Sequence, residues 1–172
     1  MTSMRFGKCV VYCLATVIAV CLCGCEKIDS NRIPACSVNL PLDNQALWDT
    51  YGVHGYGQSR RFVREIHEPG NFPYNALTYT GFGGILLISG LEGQDYNTPL
   101  AYDLACPVEV KSDVRVYIDS ETFEAVCPEC GSRYDVCEGR GRPVSGEAHQ
   151  RNFGMEMYRV VPATYGGYTV VR

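Results

Sequence analysis

The chain has 172 residues, a formal net charge of −4, and 46% hydrophobic against 20% charged residues, a balance that fits one globular domain and excludes a disordered chain. No run of lysines or arginines stands ready to neutralise a row of phosphates, so no nucleic-acid partner is expected. Twelve tyrosines and 18 glycines, with short apolar runs spaced by turn residues, favour strands and set aside an all-helical bundle.

Arg5 and Lys8 give a short positive start, and Cys9 to Cys23 form an apolar run interrupted only by Tyr12 and Thr16. Such a run is too short to cross a bilayer comfortably and reads as a secretory signal, with an uncleaved anchor as the competing reading. It ends in Leu22-Cys23-Gly24-Cys25, which resembles the bacterial lipobox. Residues 1–24 are then expected to be a signal peptide, Cys25 the lipidated cysteine, and 25–32 a polar tether. The implied location is the bacterial cell envelope, with the outer membrane favoured and its side open. Removing 24 residues from 172 leaves 148, with 13 basic groups (15 less Arg5 and Lys8) against 19 acidic ones, or −6. Attachment to the membrane would therefore rest on acyl chains, each buried methylene contributing ~0.8 kcal/mol.

Five cysteines remain beyond Cys25: Cys36, Cys106, Cys127, Cys130 and Cys137. An odd number cannot close entirely into intramolecular disulfides in an oxidising compartment.

Along the remaining chain, Ile33 to Leu42 alternates as a strand, and Pro34 and Pro41 place it at a sheet edge. Cys36 within it reads as a small buried hydrophobe or as the disulfide partner of Cys137. Asp43 to Gly57, with the only tryptophan, Trp48, predicts a short helical turn and an irregular loop. His54 and His67 have no ligand-like spacing, and Arg60, Arg61 and Arg64 read as a solvated face. Asn75 to Ser89 predicts two strands joined by a glycine turn, and Pro99 to Ala105 another strand. Val114 to Val126 predicts a hairpin around Asp119-Ser120-Glu121, and Met157 to Val171 a second one around Gly166-Gly167.

The chemistry-bearing residues are Cys106-Pro107-Val108 and, after a hairpin, Cys127-Pro128-Glu129-Cys130-Gly131-Ser132-Arg133-Tyr134-Asp135. A CxxC turn presents two sulfurs to one centre, and a cysteine from a neighbouring loop supplies a third. The second segment resembles the ligand loop of the Rieske family, which commonly reads CPxHGSxFD or CPxHGSxYD, and Ala101 to Pro107 resembles the strand entering the family's first loop. The likeness extends from about Gly83 to Arg172 and is greatest to Rieske-like bacterial lipoproteins. It implies an all-β fold of antiparallel sheets over 33–172, with a small two-loop, cluster-binding-type subdomain at about 105–148.

The family's ligand histidines are absent: Val108 holds the first position and Cys130 the second. Cys106, Cys127 and Cys130 remain as metal ligands or disulfide formers, with Cys137 as a possible extra thiol. By resemblance, Ser132 and Tyr134 are the hydroxyls that donate to cluster and ligand sulfurs. The leading expectation is a non-catalytic lipoprotein without a cofactor, its site thiols free or joined as Cys106–Cys127 or Cys127–Cys130. The alternatives are electron transfer through an unconventional [2Fe-2S] cluster on the three cysteines, and a structural zinc site completed by Cys137, His149 or water. Export weighs against iron, because a cluster assembled in the cytoplasm crosses in a folded protein addressed by a twin-arginine signal, and the expected signal segment carries only Arg5 and Lys8. No catalytic triad or paired-carboxylate motif appears, so an enzyme is not expected; the membrane through its lipid and an unidentified protein are the expected partners.

Overall fold

The computed structural model describes residues 27–92 and 95–172. The expected signal peptide and the expected lipidation site, Cys25, lie outside the described residues. The chain is all-β, as expected: antiparallel sheets with two short helices among the described residues, neither long and apolar enough to cross a membrane.

The larger sheet contains β1 (Val38–Leu42), β2 (Ser59–Phe62), β3 (Tyr79–Thr80), β4 (Ile85–Glu92), β5 (Asp95–Asp103), β10 (Met157–Pro162) and β11 (Tyr168–Val171). Its order is β2-β4-β5-β10-β11-β1-β3. The two edges approach each other, since Arg64, just beyond β2, donates to Thr78 O at 2.8 Å, just before β3. The smaller sheet is β6 (Tyr117–Ile118), β7 (Ala125–Val126), β8 (Arg133–Asp135) and β9 (Arg142–Ser145), in sequence order.

β4 explains how the two sheets share one molecule. Its Ile-Leu-Leu-Ile run is apolar without alternation because both faces are covered. Ile85 and Leu87 pack with Leu40, Phe62, Tyr158 and Val170 inside the curled sheet. Leu86 and Ile88 pack on the opposite face with Leu104, Val116, Tyr134 and the site cysteines. The smaller sheet is thus seated on the back of β4 and β5.

Both predicted hairpins form, as the pairs β6–β7 and β10–β11. The helical turn is α1 (Gln45–Tyr51), started by Asn44, whose side chain accepts the Leu47 N–H at 3.0 Å. One expectation needs correction. β1 is not an edge strand, for it pairs with β11 on one side and β3 on the other. Pro41 is tolerated because β3 covers only Val38 and Asn39, leaving its side of Pro41 without a ladder partner. The two strands expected either side of the glycine turn form as β3 and β4, with β3 joined to β1 and β4 to β2 and β5.

Residues 28–32, polar enough to read as a tether, lie against the domain. Asp29 exchanges backbone bonds with Asn152 and Gly154 at 2.8 and 2.9 Å, and Arg32 stacks 4.1 Å from the Phe153 ring while donating to Pro107 O at 3.4 Å.

Candidate metal centre

Each cysteine loop is a tight turn held by its own backbone. After β5 the chain is fixed by Cys106 N–H to Val114 O at 3.1 Å, and the turn closes through Val110 N–H to Cys106 O at 2.9 Å. Between β7 and β8 the corresponding bonds are Cys127 N–H to Ser132 O at 3.0 Å and Gly131 N–H to Cys127 O at 3.1 Å.

The two turns bring Cys106, Cys127 and Cys130 together, with their three sulfurs within 4.8 Å of one another. Cys106 and Cys130 Sγ are 3.7 Å apart. That matches the edge of a tetrahedral thiolate site, about 3.8 Å for metal–sulfur bonds of ~2.3 Å. Cys106 and Cys127 are buried and Cys130 half-buried, and Val108, Val114 and Ile118 pack against the core cluster that contains Cys106 and Cys127.

Both expected hydroxyls reach the sulfurs. Tyr134 Oη is 3.5 Å from Cys106 Sγ. The Cys130 thiol donates to Ser132 Oγ at 3.3 Å, and the same oxygen accepts the Ala148 N–H at 3.1 Å. This second bond has a structural reason: Ser145, before α2 (Gly146–Arg151), provides no side-chain cap, and Ser132 satisfies a first-turn amide from across the site. Ser132→Ala therefore leaves a buried N–H without its partner, and a loss of ~1–3 kcal/mol is expected in denaturant unfolding.

Burial pushes the Cys106 thiol up and the Cys127 thiol up to about 12, against backbone hydrogen bonds from Val108 and Glu109 to the first and Glu129 and Cys130 to the second. At Cys130 burial is the largest influence and opposes ionisation, but hydrogen bonds to the ionised sulfur from Ser132, Cys127 and Cys106 together outweigh it and hold the thiol below its ordinary value. The site is thus three sulfurs of unequal acidity, the most acidic being the half-buried one.

The remaining thiols lie elsewhere. Cys137 is outside the group and directs its thiol to Phe123 O at 3.8 Å. Cys36 lines an open groove with Arg64, His67 and Tyr79. All five described cysteines are free thiols, so neither the Cys36–Cys137 pair nor a site disulfide is formed in the structure. His149 is not in the sulfur group; its Nδ1 faces Pro143 O at 3.3 Å.

Asp103 was not picked out by sequence reasoning. Fully buried at the end of β5, it accepts the amides of Phe82, Gly83 and Ala105 at 2.9, 3.0 and 2.8 Å and the Tyr158 hydroxyl at 2.5 Å. It ties the Gly81–Gly84 turn to the backbone that enters the Cys106 loop. The available signal was an acidic residue ending an apolar strand three positions before a candidate ligand.

Arg133 braces the other loop, meeting Asp119 and Glu124 at 2.6 and 2.5 Å across the smaller sheet.

Fold and site together define an all-β protein with a three-cysteine cluster able to bind a metal ion. No family model matches the chain, and neither does any curated protein or solved structure.

Proposed function

We propose that the chain is a lipid-anchored, non-catalytic protein of the bacterial envelope whose Rieske-like domain holds one structural metal ion, zinc, on Cys106, Cys127 and Cys130. The carrying observation is the convergence of three sulfurs within 4.8 Å. In a two-iron cluster, sulfurs on different irons stand apart by the iron–iron separation plus the outward lean of both bonds, which exceeds a single tetrahedral edge. A spacing of 3.7 Å between Cys106 and Cys130, the positions that would serve different irons in the Rieske pattern, favours one ion instead.

Zinc accepts thiolate ligands, has no redox chemistry, and can bind as an exported chain folds. When bound, it would cross-link the two cysteine loops and so fix the smaller sheet beneath them. The same gathering of thiols moves the reading away from an empty scaffold, because three sulfurs directed at one point exceed what a disulfide needs.

Zinc and iron assayed in protein isolated from its native envelope test the proposal. One zinc per chain is expected. Two irons with visible charge-transfer absorption would instead favour electron transfer, and no metal would return the domain to a cofactor-free binding module.

A further inference from the structure

The two cysteine turns repeat one backbone plan. Cys106-Pro107-Val108-Glu109-Val110 and Cys127-Pro128-Glu129-Cys130-Gly131 share Cys-Pro at their first two positions. Each closes by a bond from its fifth amide to its first carbonyl, at 2.9 and 3.1 Å. In each, the third and fourth residues direct backbone hydrogen bonds at the leading cysteine. Each places its fifth residue in the left-handed region, with φ of 52° at Val110 and 67° at Gly131. Glycine adopts that conformation freely, whereas a β-branched valine is strained there. The first turn therefore keeps the shape of the second at a local energetic cost, which is a mark of a functional constraint.

Superposing the two plans pairs Cys106 with Cys127, and Glu109 with Cys130. In the second turn the fourth residue delivers its sulfur to the shared centre. The geometry points to Glu109 as the fourth ligand, its carboxylate completing a three-sulfur, one-oxygen zinc site. Zinc accepts carboxylate oxygen, and structural zinc is four-coordinate. Among the described residues no fourth histidine, cysteine, aspartate or glutamate atom stands within the 4.8 Å sulfur group, so the site has a position to fill. In the structure Glu109 is half-buried, its carboxylate 3.8 Å from the largely exposed Lys111 Nζ. Ligation exchanges that long ion pair for the metal.

This inference rests on the single-ion reading, and the experiment separates the two. Zinc affinity by chelator competition, and the visible spectrum of the cobalt-substituted protein, are compared for wild type, Glu109→Gln, Glu109→Cys and the exposed control Glu129→Gln. Glu109→Gln is expected to weaken zinc by at least about 100-fold, because the loss of a ligand's outer partner alone costs ~10–100-fold, and to shift the cobalt d–d bands. Glu109→Cys is expected to bind tightly and to strengthen the sulfur-to-cobalt charge-transfer band as a fourth thiolate joins. Glu129→Gln is expected to match wild type. If wild type binds neither metal, both readings fall. If wild type binds but the two Glu109 variants match it in affinity and spectrum, the three-cysteine ion stands and Glu109 is overturned as its ligand.

Discussion

Cys127→Ser is expected to purify without stoichiometric metal and to lose the dependence of its melting temperature on a chelator. The sulfur it removes belongs to a buried cysteine held in a turn by Ser132 and Gly131, and two remaining thiols make a poor zinc site. The size of the effect follows from mass action: free metal at 100 times its dissociation constant stabilises the folded state by ~2.7 kcal/mol. For a domain of this size that is a shift of roughly 5–10 °C. Wild type should show that shift on chelation, and Cys127→Ser should show none. Cys137→Ser is the matched control, since Cys137 is also buried but its thiol faces Phe123 O outside the sulfur group. It should keep one ion and the full chelator response. Equal metal content in the two variants would contradict the assignment of the site.

Asp103→Ala is expected to cost about 3–5 kcal/mol in denaturant unfolding, whether or not metal is present. The carboxylate is fully buried and faces only donors, three amides and the Tyr158 hydroxyl. Removing it orphans all four, and an unsatisfied buried donor costs ~1–3 kcal/mol, part of which water entering the space would offset. Tyr158→Phe removes a single bond and should cost about 1 kcal/mol.

The pH dependence has a definite sign. Burial raises the Asp103 carboxyl above its ordinary value, against the opposing hydrogen bonds from Tyr158, Ala105, Phe82 and Gly83. A carboxyl raised on folding contributes stability that is fully present below its unfolded value, about 3.9, and is lost as pH rises through the folded value. The deficit of Asp103→Ala should therefore be largest in acid and shrink toward neutral pH. A deficit that grows with pH would contradict this account of Asp103.

Local signals in the sequence reach a good part of the way. The turn residues at Asp119-Ser120-Glu121 and Gly166-Gly167 carry the two hairpins, because a hairpin is decided by its own few residues. The CxxC at Cys127 and Cys130, with Cys106 from an earlier loop, was legible as one site because ligand spacing is also local. Pairings across the chain were not legible. Pro41 argued for an edge strand, yet β1 is interior because its distant partner β3 pairs only with Val38 and Asn39 and stops short of that proline. Cys137 looked like an extra ligand by proximity in sequence, but β8 and the turn after it carry the thiol toward Phe123. Asp103 acquires its role only when the Gly81–Gly84 turn and β10 close over it, an arrangement that no window of neighbouring residues contains.

X-ray absorption at the zinc edge of the holoprotein tests the central claim most directly. One ion per chain with three sulfurs at ~2.3 Å is the predicted result. A shell with no more than one sulfur, or zinc-free protein carrying two irons, would contradict a single metal ion held by Cys106, Cys127 and Cys130.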